Sequence, residues 1–263
     1  MLEEELISMI RELGMLHPPF DPTRVSRVGN AKIKFSFIPR DKLGLEAMIE
    51  PCDEGFIVTI DDNLKDAKMR NRLRSTMAHE LMHTFFYDTN VLPPKRLGKS
   101  IQSHKISILE EDICRYLARQ FLMPRFSLRN LLANRNDLET PSLMGLKILK
   151  TIFQVSSELI AYRIIKDLQI WDVIYIKSHC MFDGFKLRTL KGRHPTFRKF
   201  KIPKYVPSNK WKLSSIFLHH LTKAVDLSNT EFINLHDEIF KFESTKDTVN
   251  PLTLATVISP RND

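Results

Sequence analysis

Glycine is scarce in this sequence, with 8 glycines in 263 residues, and no two of them stand in a G-x-G arrangement. The dinucleotide fingerprint G-x-G-x-x-G requires such a pair, because its glycines let the backbone approach a pyrophosphate. The phosphate-binding pattern G-x-x-x-x-G-K is missing as well. The common kinds of NAD-dependent and ATP-driven chemistry are therefore not expected.

Cysteines and long apolar runs are also few. The three cysteines, Cys52, Cys114 and Cys180, are scattered and form no C-x-x-C pair, which argues against a disulfide framework and is typical of a reducing cytoplasm. No apolar run approaches the roughly 18 residues that cross a bilayer. The first residues, MLEEELISMIREL, are acidic where a signal peptide is basic. We therefore expect a cytoplasmic protein that does not contact a membrane.

Basic residues, by contrast, are in excess, and the formal net charge is +9. Apolar residues make up 43% and charged residues 27%, the balance of a soluble globular protein. Residues 185–212 contain ten lysines and arginines and no acidic residue. Such a segment predicts contact with DNA, RNA or an acidic protein face, although a solvated loop face would have the same composition.

The pattern of apolar residues, prolines and glycines predicts a mixed α+β chain. The predicted helices are residues 1–14, 64–86, 106–123, 142–168 with a break near Gln154, and 213–225. The predicted strands are residues 31–38, 45–49, 56–60, 171–177 and 185–190, and residues 91–98 and 191–210 are expected to be irregular. The predicted domains are residues 1–140, a helix-turn-helix-like segment at 141–170, and a smaller C-terminal mixed α/β domain at 171–263.

The segment that carries chemistry is H-E-x-x-H, at His79, Glu80 and His83. Residues four apart lie on one face of a helix, so the two imidazoles can hold one Zn²⁺. Glu80 lies about 100° around the helix from His79, where it can reach a metal-bound water without binding the metal. Zinc lowers the pKa of that water toward ~7, and the glutamate accepts its proton. The motif thus predicts a hydrolytic zinc centre with Glu80 as the catalytic base.

A third zinc ligand is expected from the next helix, which carries two adjacent glutamates. Glu111 stands in line with Cys114, Ala118 and Leu122 at helical spacing, a small apolar stripe suited to close packing against the histidine helix. Glu110 is the rival, because it stands in line with Cys114 and Leu117. An ordinary acidic first helical turn would explain both carboxylates without a metal.

Three stretches resemble the ImmA/IrrE family of zinc metallo-endopeptidases, bacterial and phage proteins that typically cut helix-turn-helix repressors. The first is residues 77–83, MAHELMH, preceded by an arginine-rich helix start. The second is residues 111–124, a glutamate helix ending in FLMP where the family has LLMP. The third is residues 153–164, FQVSSELIAYRI, which is similar to the family's FGVS…RL segment.

The resemblance implies a zincin-like metalloprotease domain with one Zn²⁺ per chain, held by His79, His83 and Glu111. Glu111 is the residue that falls on the family's ligand glutamate when counted back from Pro124. The implied substrate is a specific protein partner, a helix-turn-helix transcriptional repressor, whose cleavage switches on a stress, phage or defence response. Longer members similar to IrrE carry a GAF-like sensor domain, which fits the length of residues 171–263. The alternative is a DNA-binding transcriptional regulator with a structural or vestigial zinc site.

Two positions depart from the family pattern. Arg115 stands where the family commonly has an Asn or Asp that braces a ligand, and arginine offers no acceptor. The partner for a zinc histidine must then come from elsewhere. Tyr87 stands where the family often has a further histidine. A tyrosine at that position either polarises a substrate carbonyl or simply packs.

Two further segments carry predictions about partners. Residues 146–168 have helix-turn-helix spacing, which indicates either a DNA reader or a packed helical pair. As a reader, the second helix would offer to DNA the side chains of Ser157, Glu158, Tyr162, Arg163 and Lys166. The strand at residues 56–60 alternates and directly precedes the active helix, which predicts that it pairs with an extended substrate by strand addition.

Overall fold

The structure, a computed structural model, describes residues 2–97, 104–138, 140–181, 184–193, 197, 204–207, 230–235, 238–246 and 253–260. The chain divides into two compact units: the first comprises Met1–Leu131 and Thr151–Ser156, and the second comprises Leu132–Lys150 and Ser157–Asp263. Helices and sheets both occur, so the predicted α+β class is confirmed. The predicted domain limits at residues 140 and 170 stay a prediction.

Short helices and strands alternate along the first 133 residues. The helices are α1 (Leu2–Glu12), α2 (Arg40–Leu43), α3 (Arg70–Met82), α4 (His104–Leu122) and α5 (Arg125–Ala133). The strands are β1 (Arg27–Val28), β2 (Ala31–Ile38), β3 (Ala47–Cys52), β4 (Gly55–Asp61), β5 (Tyr87–Asp88) and β6 (Lys95–Arg96). The predicted strand at 31–38, the predicted hairpin and the predicted helix at 106–123 are confirmed.

The start of the helix predicted at residues 64–86 is wrong, because α3 begins only at Arg70. Asp61 and Asp66 each accept a hydrogen bond from the backbone N–H two residues later, at 3.0 and 2.8 Å. Aspartates that bond to the nearby backbone in this way compete with α-helix formation. The two aspartates cap two short 3-10 turns, Asp62–Lys65 and Ala67–Met69, which occupy the segment before α3.

Strand β4 lies inside its sheet, whose strand order is β1-β2-β4-β3. It pairs in parallel with β2 and antiparallel with β3, and Phe56, Val58 and Ile60 are buried in the core. The prediction that residues 56–60 pair with a substrate strand is therefore wrong, because both edges of β4 are occupied. Within the described part of the chain, β3 is the end strand next to β4 in this sheet.

Buried and half-buried hydrogen bonds connect the N-terminal segment to α3 and α4. Glu3 of α1 accepts hydrogen bonds from the Tyr116 hydroxyl at 3.0 Å and from the Gln120 amide at 2.8 Å, both on α4. On α3, the buried Arg74 donates to the backbone carbonyl of Phe20 at 2.6 Å. Both helices that carry the site are thus tied by side-chain hydrogen bonds to the first 20 residues of the chain.

Strands β5 and β6 form a two-stranded ribbon directly after the histidine helix. Tyr87 stands opposite Arg96, and Asp88 opposite Lys95. The prediction that residues 91–98 are irregular is therefore wrong at residues 95 and 96, which pair as a strand. A two-residue strand is too short to show a periodicity that a sequence pattern can detect, and its pairing depends on partners seven and nine residues away.

The predicted break near Gln154 is confirmed. Helix α6 (Leu143–Phe153) ends there, α7 (Ser157–Tyr162) follows, and one π-helical turn (Arg163–Asp167) continues it. Gln154 adopts a left-handed conformation with φ 52°, a conformation that glycine adopts most easily.

Two of the five side chains that the second helix would offer to DNA, those of Arg163 and Glu158, are engaged within the protein. Arg163 is fully buried, with Nη1 3.5 Å from the carboxylate of Asp167, so it is not available to DNA as the DNA-reader alternative requires. Glu158 forms ion pairs with Lys177 at 3.2 Å and with Arg188 at 3.0 Å. This arrangement favours the packed helical pair over the DNA reader.

The second unit contains a six-stranded antiparallel sheet, in the order β10-β11-β12-β7-β8-β9. Its strands are β7 (Ile174–Met181), β8 (Gly184–Lys191), β9 (Tyr205–Pro207), β10 (Thr230–Leu235), β11 (Glu238–Lys246) and β12 (Thr253–Pro260). The two strands predicted after residue 170 are confirmed with shifted limits. Strand β9 lies where residues 191–210 were expected to be irregular, so that prediction is wrong there. A GAF-like domain stays a prediction.

Two predictions lie outside the described residues. They are the helix at 213–225 and half of the basic segment, namely its residues 194–196, 198–203 and 208–212. Among the helices that the structure does describe, none combines the length and the apolar character needed to cross a membrane.

Candidate metal centre

Two histidines one helical turn apart face the same space. His79 lies in the last turn of α3, and His83 follows the end of that helix at Met82 and begins a 3-10 turn. The helix predicted to reach residue 86 therefore ends earlier. Because His83 keeps right-handed helical dihedrals, φ −63° and ψ −22°, the spacing of an α-turn is retained. The ring centroids are 5.1 Å apart.

Glu111 of α4 completes a cluster with these histidines. Its Oε2 lies 3.3 Å from His79 Nε2, and its Oε1 lies 3.4 Å from His83 Nε2. One nitrogen or oxygen from each of the three residues lies within 4.8 Å of the others. Two imidazoles and one carboxylate form the ligand set of catalytic zinc sites, which leave a fourth position open. The three residues predicted as ligands are thus brought together, and their donor set fits a zinc ion.

Cys114 lies on the apolar stripe that was used to orient Glu111. Cys114 and Leu122 are fully buried, and Ala118 is nearly so, so this face of α4 packs inward as predicted. Burial, together with the nearby Glu110 and Glu111, raises the pKa of the Cys114 thiol well above its usual range.

The surroundings of His79 favour the form of imidazole that binds metals. Burial lowers the pKa of His79, and the neighbouring His83 lowers it further, whereas Glu111 acts in the opposite direction. The net result is a ring that is neutral at pH 7 and carries a free nitrogen lone pair.

Glu110 does not share the space between the histidines. Its Oε1 lies 2.9 Å from His83 Nδ1, and its Oε2 accepts a hydrogen bond from the guanidinium of Arg96. Both oxygens are therefore engaged, and the carboxylate faces the side of His83 opposite to Glu111. The alternative that Glu110 is the third ligand is disfavoured by this geometry. Glu110 thus offers His83 the acceptor that Arg115 does not.

Glu80, the acidic residue of H-E-x-x-H, is buried beside the cluster of His79, His83 and Glu111. Burial raises the pKa of Glu80 to about 7, with Glu111 and Glu46 adding to the effect and His83 opposing it. A carboxyl group with this pKa can both accept and return a proton near neutral pH. This property is the one that a general base in hydrolysis requires.

In metal-free protein, we expect Glu80→Gln to increase stability at pH 8. The unfolded carboxyl ionises near pH 4.5 and the folded one at about 7, so between these values the folded state retains a proton that the unfolded state has lost. Wild-type stability therefore falls as pH rises through this window and levels off above it. The raised pKa corresponds to about 3 kcal/mol.

Urea unfolding in the presence of a chelator measures the free energy of unfolding of Glu80→Gln and of wild type at pH 4.5 and at pH 8. The expected effect is that the difference between the two proteins changes in favour of Glu80→Gln from pH 4.5 to pH 8. The matched control is Glu54→Gln, since Glu54 is exposed and pairs with Lys34 at 2.8 Å. That control should gain no stability as pH rises. If the difference in free energy of unfolding between Glu80→Gln and wild type is the same at both pH values, the raised pKa of Glu80 is contradicted.

Sequence reasoning missed two participants in this region. Arg96 lies in a segment expected to be irregular, and a single arginine in such a segment gives no pattern to follow. Glu46, just before β3, accepts hydrogen bonds from Arg72 at 2.7 Å and from the Thr76 hydroxyl at 3.0 Å, both on α3. For Glu110 the signal was present, because its inward-facing position was recognised, but it was considered only as a ligand.

The comparisons with known proteins agree with this geometry. Residues 63–164 match the family model of the IrrE N-terminal-like domain, Peptidase_M78. The match includes His79, Glu80, His83 and Glu111, and it confirms the predicted resemblance. The family is one of peptidases, which indicates metallopeptidase activity. No curated protein matches the chain.

Proposed function

Since residues 63–164 form an IrrE N-terminal-like domain of the ImmA/IrrE family, we propose that this chain is a zinc-dependent endopeptidase that cleaves one specific protein partner. The observation that carries the proposal is the convergence of His79, His83 and Glu111, with the buried Glu80 beside them. A structural zinc site is normally closed by four protein ligands. Three ligands and an adjacent carboxyl group instead suit hydrolysis.

The residues of the site divide the chemistry between them. His79, His83 and Glu111 would hold the ion, which when bound supplies a Lewis acid that polarises a carbonyl and lowers the pKa of water. Glu80 would take the proton of the attacking water and deliver it to the leaving amine. In the metal-free protein burial raises the pKa of Glu80 to about 7, and a bound cation nearby would lower it toward the carboxylate form that accepts a proton.

The substrate is proposed to bind as an extended strand along β3. This end strand has a free edge in the described part of the chain, and peptides commonly add to such edges. Glu46 accepts a hydrogen bond from Thr76, one helical turn before Glu80, which brings the beginning of β3 beside the catalytic carboxyl. Glu46 also raises the pKa of Glu80, which is consistent with this proximity.

The partner is proposed to be a helix-turn-helix transcriptional repressor whose cleavage switches on a stress, phage or defence response. What supports this choice is the family match, since ImmA/IrrE proteins typically act on such repressors. The basic residues of segment 185–212 are proposed to contact DNA, RNA or an acidic face of the substrate.

A cleavage assay tests the proposed activity. Purified protein with zinc is incubated with candidate helix-turn-helix repressors, with and without DNA, and the fragments are identified by mass spectrometry. We expect a single cut that a chelator abolishes and added zinc restores. An unfolded protein of unrelated sequence serves as the control for selectivity. Equal cleavage of that control would refute a specific partner, and chelator-resistant cleavage would refute the metal mechanism.

A further inference from the structure

Glu110 is the only buried glutamate besides Glu80 among the described residues, and it has no assigned role in the proposed reaction. Its two oxygens contact two different groups: Oε1 faces His83 Nδ1 at 2.9 Å, and Oε2 faces the Arg96 guanidinium. A buried carboxylate is costly unless it is paired and hydrogen-bonded. The arrangement satisfies this requirement, and it places a fixed acceptor against one nitrogen of His83.

The two nitrogens of His83 are thereby given different tasks. Nδ1 lies against Glu110, and Nε2 lies 3.4 Å from Glu111 Oε1, on the side of His79. A neutral imidazole has one N–H and one lone pair, and an acceptor at Nδ1 keeps the proton there. The lone pair of Nε2 then points into the cluster of His79 and Glu111.

Arg96 in turn contacts Tyr87, which packs against the sheet. Its guanidinium lies 5.6 Å from the centre of the Tyr87 ring, and Nη1 lies 3.4 Å from the Tyr87 hydroxyl. The Tyr87 ring packs edge-on against Phe56 of β4, with ring centres 5.2 Å apart. A continuous series of contacts therefore runs from the sheet core through Tyr87, Arg96 and Glu110 to His83.

We propose that Glu110, held by Arg96, is a positioning residue that fixes the proton and the orientation of His83 for metal binding. This inference rests on the proposed metal site at His79, His83 and Glu111. It assigns to Tyr87 the support of Arg96, which agrees with packing and not with polarising a substrate carbonyl. It also explains how the site functions with Arg115 in place of an acceptor, because the bracing carboxylate comes from the residue before the ligand glutamate.

Zinc affinity, measured by competition with a fluorescent chelator, tests the proposal without reference to peptidase activity. Glu110→Ala is expected to weaken zinc binding by about 10- to 100-fold, the usual cost of removing the hydrogen-bond partner of a metal-binding histidine. Glu110→Gln keeps an acceptor for Nδ1–H and should recover most of the affinity. Glutamine also fills the same space, so the discriminating variant is Glu110→Leu, which has similar bulk but no acceptor for Nδ1–H. It should bind zinc as weakly as Glu110→Ala, and wild-type affinity in Glu110→Leu would overturn the positioning role.

Arg96→Ala tests the second contact and leaves Glu110 itself in place. We expect a smaller loss of zinc affinity than for Glu110→Ala, and Arg96→Lys should retain part of the interaction. Lys95→Ala, at the neighbouring exposed position of β6, is the control for the ribbon. Glu54→Gln is the control for loss of a carboxylate pair outside the site. The absorption spectrum of the cobalt-substituted protein should change for Glu110→Ala and for neither control.

The outcomes separate this inference from the proposed function. Wild type that binds zinc while Glu110→Ala and Arg96→Ala bind it with wild-type affinity would overturn the positioning role and leave the metal site intact. If Glu110→Ala does not fold, wild-type affinity in Arg96→Ala together with a tenfold loss in Glu110→Gln would overturn it as well. Wild type that binds no zinc would overturn both. Zinc binding without cleavage of any repressor would refute the proposed substrate alone.

Discussion

Glu80→Gln is expected to bind zinc with wild-type stoichiometry and to cleave the partner about 10²–10⁴-fold more slowly, the usual cost of losing a general base. Glutamine preserves the size and shape of the side chain but cannot accept a proton from water. The structure places Glu80 beside the proposed ligands, where its buried carboxyl group has a pKa of about 7. The substitution therefore separates proton transfer from metal binding.

The measurement combines elemental analysis of zinc with the rate of fragment formation at saturating partner. Glu54→Gln introduces the same chemical change at an exposed surface position and should retain the full rate. Glu80→Gln should still bind the partner as wild type does, which a pull-down measures. Cleavage by Glu80→Gln at the wild-type rate would eliminate the general-base role, whereas loss of both zinc and cleavage would make Glu80 part of the metal-binding structure.

His79→Ala and Glu111→Ala are each expected to lose stoichiometric zinc and all zinc-dependent cleavage. In wild type, the three proposed ligands bring one nitrogen or oxygen each to within 4.8 Å of the others, and removal of one leaves too few donors for a tight site. Zinc at 100 times its Kd should stabilise wild type by about 2.7 kcal/mol. The same zinc concentration should not stabilise either variant.

Zinc content and thermal unfolding with and without zinc measure this result. His17→Ala, at an exposed position, controls for loss of a histidine, and Glu54→Ala controls for loss of a glutamate. Full zinc occupancy in Glu111→Ala would transfer the third-ligand role to Glu110. That outcome would also contradict the geometry, in which both oxygens of Glu110 are already engaged by His83 and Arg96.

The local features of the site were predictable because they depend on residues close in sequence. His79 and His83 share a face as a consequence of helical periodicity, and that relation survives although the helix ends at Met82. The hairpin of β3 and β4 follows from alternation around a turn. Glu111 was expected to point inward from the buried stripe of Cys114 and Leu122, and it does so.

Features that depend on distant pairing could not be read from such patterns. The alternation in β4 predicts one buried face of a sheet, but whether an edge of the strand is free depends on where β2 docks, and β2 covers that edge. Arg163 occupies an outward-looking position in a helix-turn-helix reading, and only the packing around it makes it fully buried. The beginning of α3 was misplaced, because aspartate side chains that bond to the nearby backbone interrupt an otherwise helical pattern.

The sequence by itself thus determined which groups form the reactive motif, since the four-residue spacing of His79 and His83 is a property of the helix alone. The tertiary structure alone decided the division of labour between two adjacent glutamates. Consecutive helical residues point about 100° apart, so Glu110 and Glu111 meet different neighbours, and the sequence does not specify which. The packing of α4 directs Glu111 toward both histidines. The packing of α4 and of the ribbon of β5 and β6 brings Glu110 to His83 Nδ1 and Arg96. The physical reason is that side-chain direction is local, whereas the identity of the group it meets is set by contacts between distant segments.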